Sequence, residues 1–258
     1  MVIIFDGRTF ADKVSESIGI KVRGLKLVSI FDPDNPGSVA YTKIKEKKAG
    51  ELGVDFEKIQ KTNDKELIKN KIHDLNADKD VNGIIVQMPL GFGDEDMEIA
   101  GIISPKKDVD GLNPYSGVMP ATVRAVTEIL NSINEAPDSR QKLCVLGNLG
   151  MVGRRMQEEL ENTGKYDVEG MDKEDFDPEK IREADIVISA TGQAGLIKPE
   201  MVKAGVIAID VGFPVGDFDP AIAQKAAFFT PVPGGVGPVT VAMLFANLAE
   251  LISKRIKN

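Results

Sequence analysis

The chain has 258 residues, 42% hydrophobic and 28% charged, which suits one large or two modest globular domains. A formal net charge of −8 and a pI near 4.9 exclude a generally basic surface, so no nucleic-acid partner is expected. One cysteine excludes an internal disulfide and a cysteine metal cluster and suits a cytoplasmic protein, and no unbroken apolar run approaches the roughly 18 residues of a membrane span.

In chain order, the start MVIIFDGRTFADKV lacks the basic region, apolar run and cleavage site of a secretory signal. LKLVSIF (25–31) reads as a buried strand. GSVAYTKIKEKKAGELG (37–53) reads as a helix, with Pro36-Gly37-Ser38 as its turn and N-cap. At about 100° per residue, Tyr41, Ile44, Lys45, Lys48 and Leu52 share one face. Lys45 therefore falls on the apolar side. It either snorkels or is functional, with its pKa lowered by partial burial. The single histidine, His73, lies in the polar amphipathic helix DKELIKNKIHDLNA and is expected to be exposed. Ser-His-Asp catalysis and His-rich zinc sites are accordingly not expected.

NGIIVQMPL (82–90) is a strand ending in Gln87, at the end where parallel sheets present ligand-facing groups. PKKDVDGLNPY (105–115) puts Asp108 and Asp110 in a turn; the Asp-x-Asp-Gly pattern lacks the later ligands of a calcium loop. GLNPYSGVMPAT (111–122) marks a domain boundary, and ATVRAVTEILNSI (121–133) a helix. Polar NEAPDSRQ (134–141) leads into the strand KLCVLGN (142–148). Further strands are YDVEGM (166–171), ADIVISATG (184–192) and GVIAIDVG (205–212). Their alternation with helices predicts α/β architecture with parallel sheets. TPVPGGVGPVT (230–240) is a rigid loop, and TVAMLFANLAELISKRI (240–256) a closing helix.

CVLGNLGMVGRRMQEEL (144–160) follows a strand and opens a helix. Gly147, Gly150 and Gly153 form G-x-x-G-x-x-G, a variant of the dinucleotide fingerprint with the same mechanics: a tight turn, close backbone approach and a helix N-terminus aimed at phosphate. Cys144 is expected to be a buried structural thiol. Glu169 and Asp172, about 20 residues on, suit the ribose hydroxyls of NAD. Arg154, Arg155 and Lys173 suit the 2′-phosphate of NADP, so the local residues leave the coenzyme open.

Tyr41-x-x-x-Lys45 is the catalytic pattern of short-chain dehydrogenases, but there the glycine loop comes first. Here the pair precedes the loop by about 100 residues, so that family does not fit. Tyr41-x-x-x-Lys45, DVNGIIVQMPL, KDVDGLNPY, GMVGR, VIAIDVG and TPVPGGVGPVTVAML resemble, in this order, the bifunctional methylenetetrahydrofolate dehydrogenase/methenyltetrahydrofolate cyclohydrolase family. The resemblance spans nearly the whole chain. Rival readings are another substrate-domain-first dehydrogenase, such as a shikimate or amino-acid dehydrogenase, a non-catalytic nucleotide-binding regulator, and a monofunctional dehydrogenase of the same family.

The resemblance implies an N-terminal α/β substrate domain (1–118, with helix 240–258 packing back onto it), a C-terminal Rossmann-type domain (119–239), a cleft between them and a cytoplasmic homodimer. It implies one-carbon folate chemistry feeding purine biosynthesis: oxidation of 5,10-methylenetetrahydrofolate, then hydrolysis of the methenyl product to 10-formyltetrahydrofolate. Lys45, Tyr41 and Gln87 are the implied catalytic residues. Tyr41, Gln87, Pro89, Asp110, Gly235, Val236, Gly237 and Pro238 are implied to bind folate. Gly147, Asn148, Leu149, Gly150, Gly153, Arg154, Arg155, Phe213 and Thr240 are implied to bind the coenzyme, NADP by family habit with NAD the alternative. No metal is implied. Against the family pattern, Leu149 stands where Ser is usual and Arg155 where Pro is usual. GMDKED replaces the basic residue expected after the second Rossmann strand. Lys48 takes a place commonly held by a small residue, which puts a second amine near Lys45. The chain also looks short at its N-terminus and between Tyr115 and Thr122.

Overall fold

The computed structural model describes residues 2–133 and 140–257; most of the expected connector 134–141 lies outside them. In chain order the elements are β1 (Ile3–Ile4), α1 (Gly7–Val22), β2 (Lys26–Phe31), α2 (Pro36–Leu52), β3 (Asp55–Gln60), α3 (Lys65–Ala77), β4 (Val81–Val86) and α4 (Glu95–Gly101). They continue with α5 (Ala121–Ile133), β5 (Gln141–Leu146), α6 (Met151–Asn162), β6 (Tyr166–Met171), α7 (Pro178–Glu183), β7 (Ile186–Ser189), β8 (Ile207–Asp210), β9 (Phe228–Phe229) and α8 (Val236–Lys257). Two compact units result, one of residues 11–121 and 241–258, the other of residues 1–10 and 122–240.

The first unit holds a parallel three-stranded sheet in the order β3-β2-β4. Alternation sends Val28 and Ile30 of β2, with Ile84 and Val86 of β4, to one face, where they pack with Ile68 and Ile72 of α3 and Ile99 of α4. On the other face Gly83 leaves room for Leu248 of α8, because a Cβ there would meet Val109, Leu27 and Leu248. α8 is fastened further by its polar side chains. Asn247 Nδ2 donates to the Val109 and Met119 carbonyls, each at 2.9 Å, and Arg255 donates to the Asn82 carbonyl at 2.8 Å. By length and composition α8 could cross a membrane, but 67% of that stretch is buried within the protein, as a core helix requires.

β3 (DFEKIQ) has no apolar run and escapes the sequence reading. It is an edge strand paired only with β2, so half of it faces water and its polar residues are tolerated.

The second unit holds six parallel strands in the order β1-β9-β8-β7-β5-β6. From β5 the chain moves to β6 on one side and then to β7 on the other. That reversal is the switch point where doubly wound sheets bind ligands. Continuous apolar strands give one buried cluster, including Leu146, Val187, Ala208 and Phe229. The chain start departs from the expected 1–118 grouping: residues 1–10 belong to this unit. Ile3 and Ile4 pair with Phe228 and Phe229, and Gly7 N–H donates to the Gly234 carbonyl at 3.0 Å. A two-residue strand carries no periodicity, so the sequence does not announce it.

Candidate active site

Helix α2 begins at Pro36, three residues before the start that a Ser38 N-cap implies. Asn35, rather than Ser38, is its N-cap: Asn35 Oδ1 accepts from Ser38 N at 2.9 Å, and Pro36 fits the first turn. Gly53 ends the helix in the left-handed conformation at φ 70°. This phasing buries Ser38, Thr42, Lys45, Ala49 and Leu52. Tyr41 sits at the margin, Lys48 is half-buried and Ile44 is 46% exposed, so the expected face is rotated. The reason is composition: α2 has no apolar stripe to dictate the phase, and its small residues pack closest.

Lys45 is only 4% exposed. Its Nζ lies 3.3 Å from Oδ2 of Asp110, an ion pair within the first unit. Lys48 is not a second amine for this pair; it bridges Glu51 at 2.8 Å and Asp12 at 3.3 Å. Burial raises the Tyr41 hydroxyl pKa above its ordinary value.

Asp110 is positioned by Asp108, whose role the sequence does not disclose. Asp108 is fully buried and its carboxylate accepts from Gly111 N at 3.0 Å and Asn113 N at 2.7 Å. Asn113 in turn donates to the Gly101 and Ile103 carbonyls. Gly111 has φ +70°, and a Cβ there would press on the Pro120 backbone at 2.7 Å. The turn thus has one conformation, with Asp110 presented at its head. Burial pushes the Asp108 pKa up to about 6, its backbone hydrogen bond from Asn113 opposes this, and the Asp110 charge adds to it.

Gln87 follows β4 and is 8% exposed. Its Nε2 donates to the Met88 carbonyl at 3.1 Å, while Oε1 is buried with no hydrogen-bond partner among the described residues. Thr42 Oγ1 and Ser29 Oγ share that condition. Each such atom costs about 1–3 kcal/mol unless satisfied. Pro89 follows through a cis peptide with Met88.

In the second unit, Gly147 ends β5 at φ +83°, and a Cβ there would meet the Ala190 carbonyl oxygen at 2.8 Å. A Cβ on Gly153 would run into the Gly147 carbonyl, so α6 approaches the loop as closely as backbones allow. Gly150 is the N-cap of α6. These are the requirements of a phosphate-cradling turn. A cavity of about 200 Å³ adjoins it, lined by Gly147, Asp172, Lys173, Phe176, Thr191 and Leu196 among others. Asn148 Nδ2 bonds Gln157 and Leu149 is 72% exposed. Arg154 and Arg155 are engaged on their own helix, Arg154 with Glu158 at 3.9 Å and Arg155 with Glu158 at 3.1 Å.

The 231–238 segment is less of a loop than expected. Helix α8 starts at Val236, so Gly237 and Pro238 lie in its first turn, where proline is tolerated. Gly235 donates to the Pro231 carbonyl at 2.7 Å, and its missing Cβ makes room for Thr230 and Pro231. Thr240 Oγ1 returns to the Val236 carbonyl at 3.2 Å, and Phe213 is 40% exposed. His73 is exposed, and Cys144 is buried in β5. Among the described residues, no group of three or more His, Cys, Asp or Glu could hold a metal ion.

Two family models match: the tetrahydrofolate dehydrogenase/cyclohydrolase catalytic domain over residues 5–110 and its NAD(P)-binding domain over residues 120–256. The chain belongs to the tetrahydrofolate dehydrogenase/cyclohydrolase family. Bifunctional protein FolD of an Exiguobacterium species is 33% identical, over 98% of this chain and all of that protein. The solved bifunctional FolD dehydrogenase/cyclohydrolase of Campylobacter jejuni has a TM-score of 0.89 at 31% identity, covering 99% of this chain and 100% of that one. The Trypanosoma brucei methylenetetrahydrofolate dehydrogenase-cyclohydrolase, solved with NADP and an inhibitor, has a TM-score of 0.89 at 28% identity, covering 100% of this chain and 99% of that one. Membership in this family removes the shikimate, amino-acid and regulator alternatives, and its catalytic-domain match falls on the unit that carries Lys45, Gln87 and Asp110.

Proposed function

We propose that this chain oxidises 5,10-methylenetetrahydrofolate with a nicotinamide coenzyme and hydrolyses the methenyl product, using Lys45 as the proton-transfer group. The observation that carries this reading is the buried Lys45–Asp110 pair, in a chain that matches both family domains. Hydride loss from an N–CH₂–N carbon needs no base, because the adjacent nitrogens take up the charge. The protein's task there is alignment, and the bound coenzyme supplies the hydride acceptor. This accounts for a catalytic site without histidine.

Hydrolysis does need protons moved. Water adds to the methenyl carbon and loses a proton as the C–O bond forms. The ring opens when a proton reaches the departing nitrogen. In its neutral form Lys45 Nζ accepts the first proton and, as the ammonium, supplies the second; the carbinol hydroxyl proton leaves to water as the C–N bond breaks and the formyl C=O forms. Asp110 holds the amine in place before substrate arrives and then accepts hydrogen bonds from the pterin amino and ring N–H groups. The free Oε1 of Gln87 is an acceptor that a substrate N–H or a water can satisfy. Tyr41 stacks on the folate beside Pro89. Gly147, Asn148, Leu149, Gly150 and Gly153 hold the coenzyme phosphates, with Phe213 and Thr240 toward its nicotinamide. The assembly is a cytoplasmic homodimer supplying formyl groups for purine synthesis.

The test is absorbance with 5,10-methylenetetrahydrofolate and each dinucleotide, followed by methenyltetrahydrofolate decay alone. Reduced coenzyme plus accelerated decay supports both activities. Reduction without decay leaves a monofunctional dehydrogenase and makes Lys45 a positioning residue. Neither signal from folded protein contradicts the reading.

A further inference from the structure

We infer that this chain selects NAD over NADP, and that Asp172 makes the choice; this rests on the nicotinamide-dependent reading above. Asp172 directly follows β6, the second strand of the nucleotide-binding order, and lines the 200 Å³ cavity beside Gly147. In doubly wound sheets that place faces the adenosine ribose.

The carboxylate is held rigidly. Oδ2 accepts from Leu149 N at 3.2 Å, and Oδ1 accepts from Lys173 N at 2.8 Å. The Asp172 amide itself donates to Asp175 Oδ1 at 2.6 Å. A carboxylate has about four lone-pair sites, so two remain for a ribose diol. A 2′-phosphate brings nearly two negative charges to the same place. It would meet Asp172 in a segment, 172–177, that carries four acids and one lysine.

Few cations oppose this. Arg155 pairs with Glu158 at 3.1 Å along α6, and Arg154, 67% exposed, lies 3.9 Å from the same carboxylate. Lys180 pairs with Glu169 at 2.5 Å. Lys173 lines the cavity but is flanked by Asp172 and Glu174. After this strand the chain thus offers one lysine among four acids, with Asp172 first.

Isothermal titration of the full chain with NAD⁺ and with NADP⁺ tests the assignment directly. NAD⁺ is expected to bind on the order of tenfold or more tightly, the effect of a charge-assisted hydrogen bond gained and a repulsion avoided. Asp172→Ser should weaken NAD⁺ and tighten NADP⁺, narrowing or reversing the ratio. Asp172→Asn, which preserves shape, should move it the same way. Tighter NADP⁺ binding by the unaltered chain, or an unchanged ratio in both folded variants, overturns the inference. If dinucleotide binding follows the expected order but no folate is oxidised, the reading of function fails while the coenzyme assignment stands. If neither dinucleotide binds the folded chain, both fail.

Discussion

Lys45 Nζ and Asp110 Oδ2 stand 3.3 Å apart across 65 residues of sequence, the amine almost wholly buried and the carboxylate 19% exposed at its side chain. Two separate devices create that distance. The Asn35 cap and the small residues of α2 phase Lys45 inward, and the buried Asp108 carboxylate fixes the turn that carries Asp110.

Asp110→Ala removes the partner of a buried amine and the acceptor proposed for the pterin. Folate affinity and both activities are expected to be lost. Stability should fall by about 1–3 kcal/mol, less than for a fully buried pair because Asp110 keeps some solvent contact. Calorimetric folate titration and urea unfolding check the two parts. Unchanged folate affinity removes Asp110 from the site.

The Asp108 carboxyl makes stability depend on pH with an acid-favouring sign. Its pKa is raised to about 6 in the folded chain from an ordinary 3.8. Below about pH 4 both states hold the proton, and between 4 and 6 only the folded state does. Folding therefore loses stability as pH rises through that window, by roughly 3 kcal/mol in all, and the contribution levels off above it. In Asp108→Asn this slope should vanish. Urea midpoints for both proteins at pH 4, 5, 6 and 7 measure the difference. A gap between them that does not change with pH contradicts the assignment.

Gly153→Ala places a methyl group against the Gly147 carbonyl. Overpacking of this kind costs about 1–3 kcal/mol and displaces the phosphate turn. Dinucleotide affinity should fall tenfold or more while folate binding persists. Retention of full dinucleotide affinity would show that the glycine loop is not the coenzyme cradle.

Cys144 should be chemically silent. Burial, reinforced by the charges of Glu169 and Asp175, pushes its thiol pKa up to about 12. At pH 8 about one molecule in ten thousand carries the thiolate. Iodoacetamide should label the chain only after denaturation, as read by intact mass. Rapid labelling of the native chain contradicts this.

The apolar strands β2, β4, β5, β7 and β8 are legible because short continuous hydrophobic runs bounded by turn residues have few uses other than buried strands. β3 and β1 are not, one being a half-wet edge and the other two residues long. Within the candidate site, Lys45, Gln87 and Asp110 are singled out in the sequence by motif and order. The distinction between Asp108 and Asp110 is not. The two residues share a type and a turn, and only the fold decides which is sealed inside to hold the backbone and which is presented to Lys45. Ile44 misleads for a related reason: a helix whose buried face is Ser, Thr, Lys and Ala gives periodicity nothing to follow. The start of α8 at Val236 was hidden by Gly237 and Pro238, which read as loop in sequence but fit a first helical turn.

In the proposed reaction one amine, that of Lys45, carries the hydrolytic half of the chemistry. Lys45→Met, assayed for methenyltetrahydrofolate hydrolysis and for dinucleotide binding on the same preparation, tests it most directly. Hydrolysis is expected to fall about 100-fold or more, the usual contribution of a positioned acid–base group, with dinucleotide affinity unchanged. Hydrolysis at the unaltered rate in a folded, dinucleotide-binding variant would contradict the account.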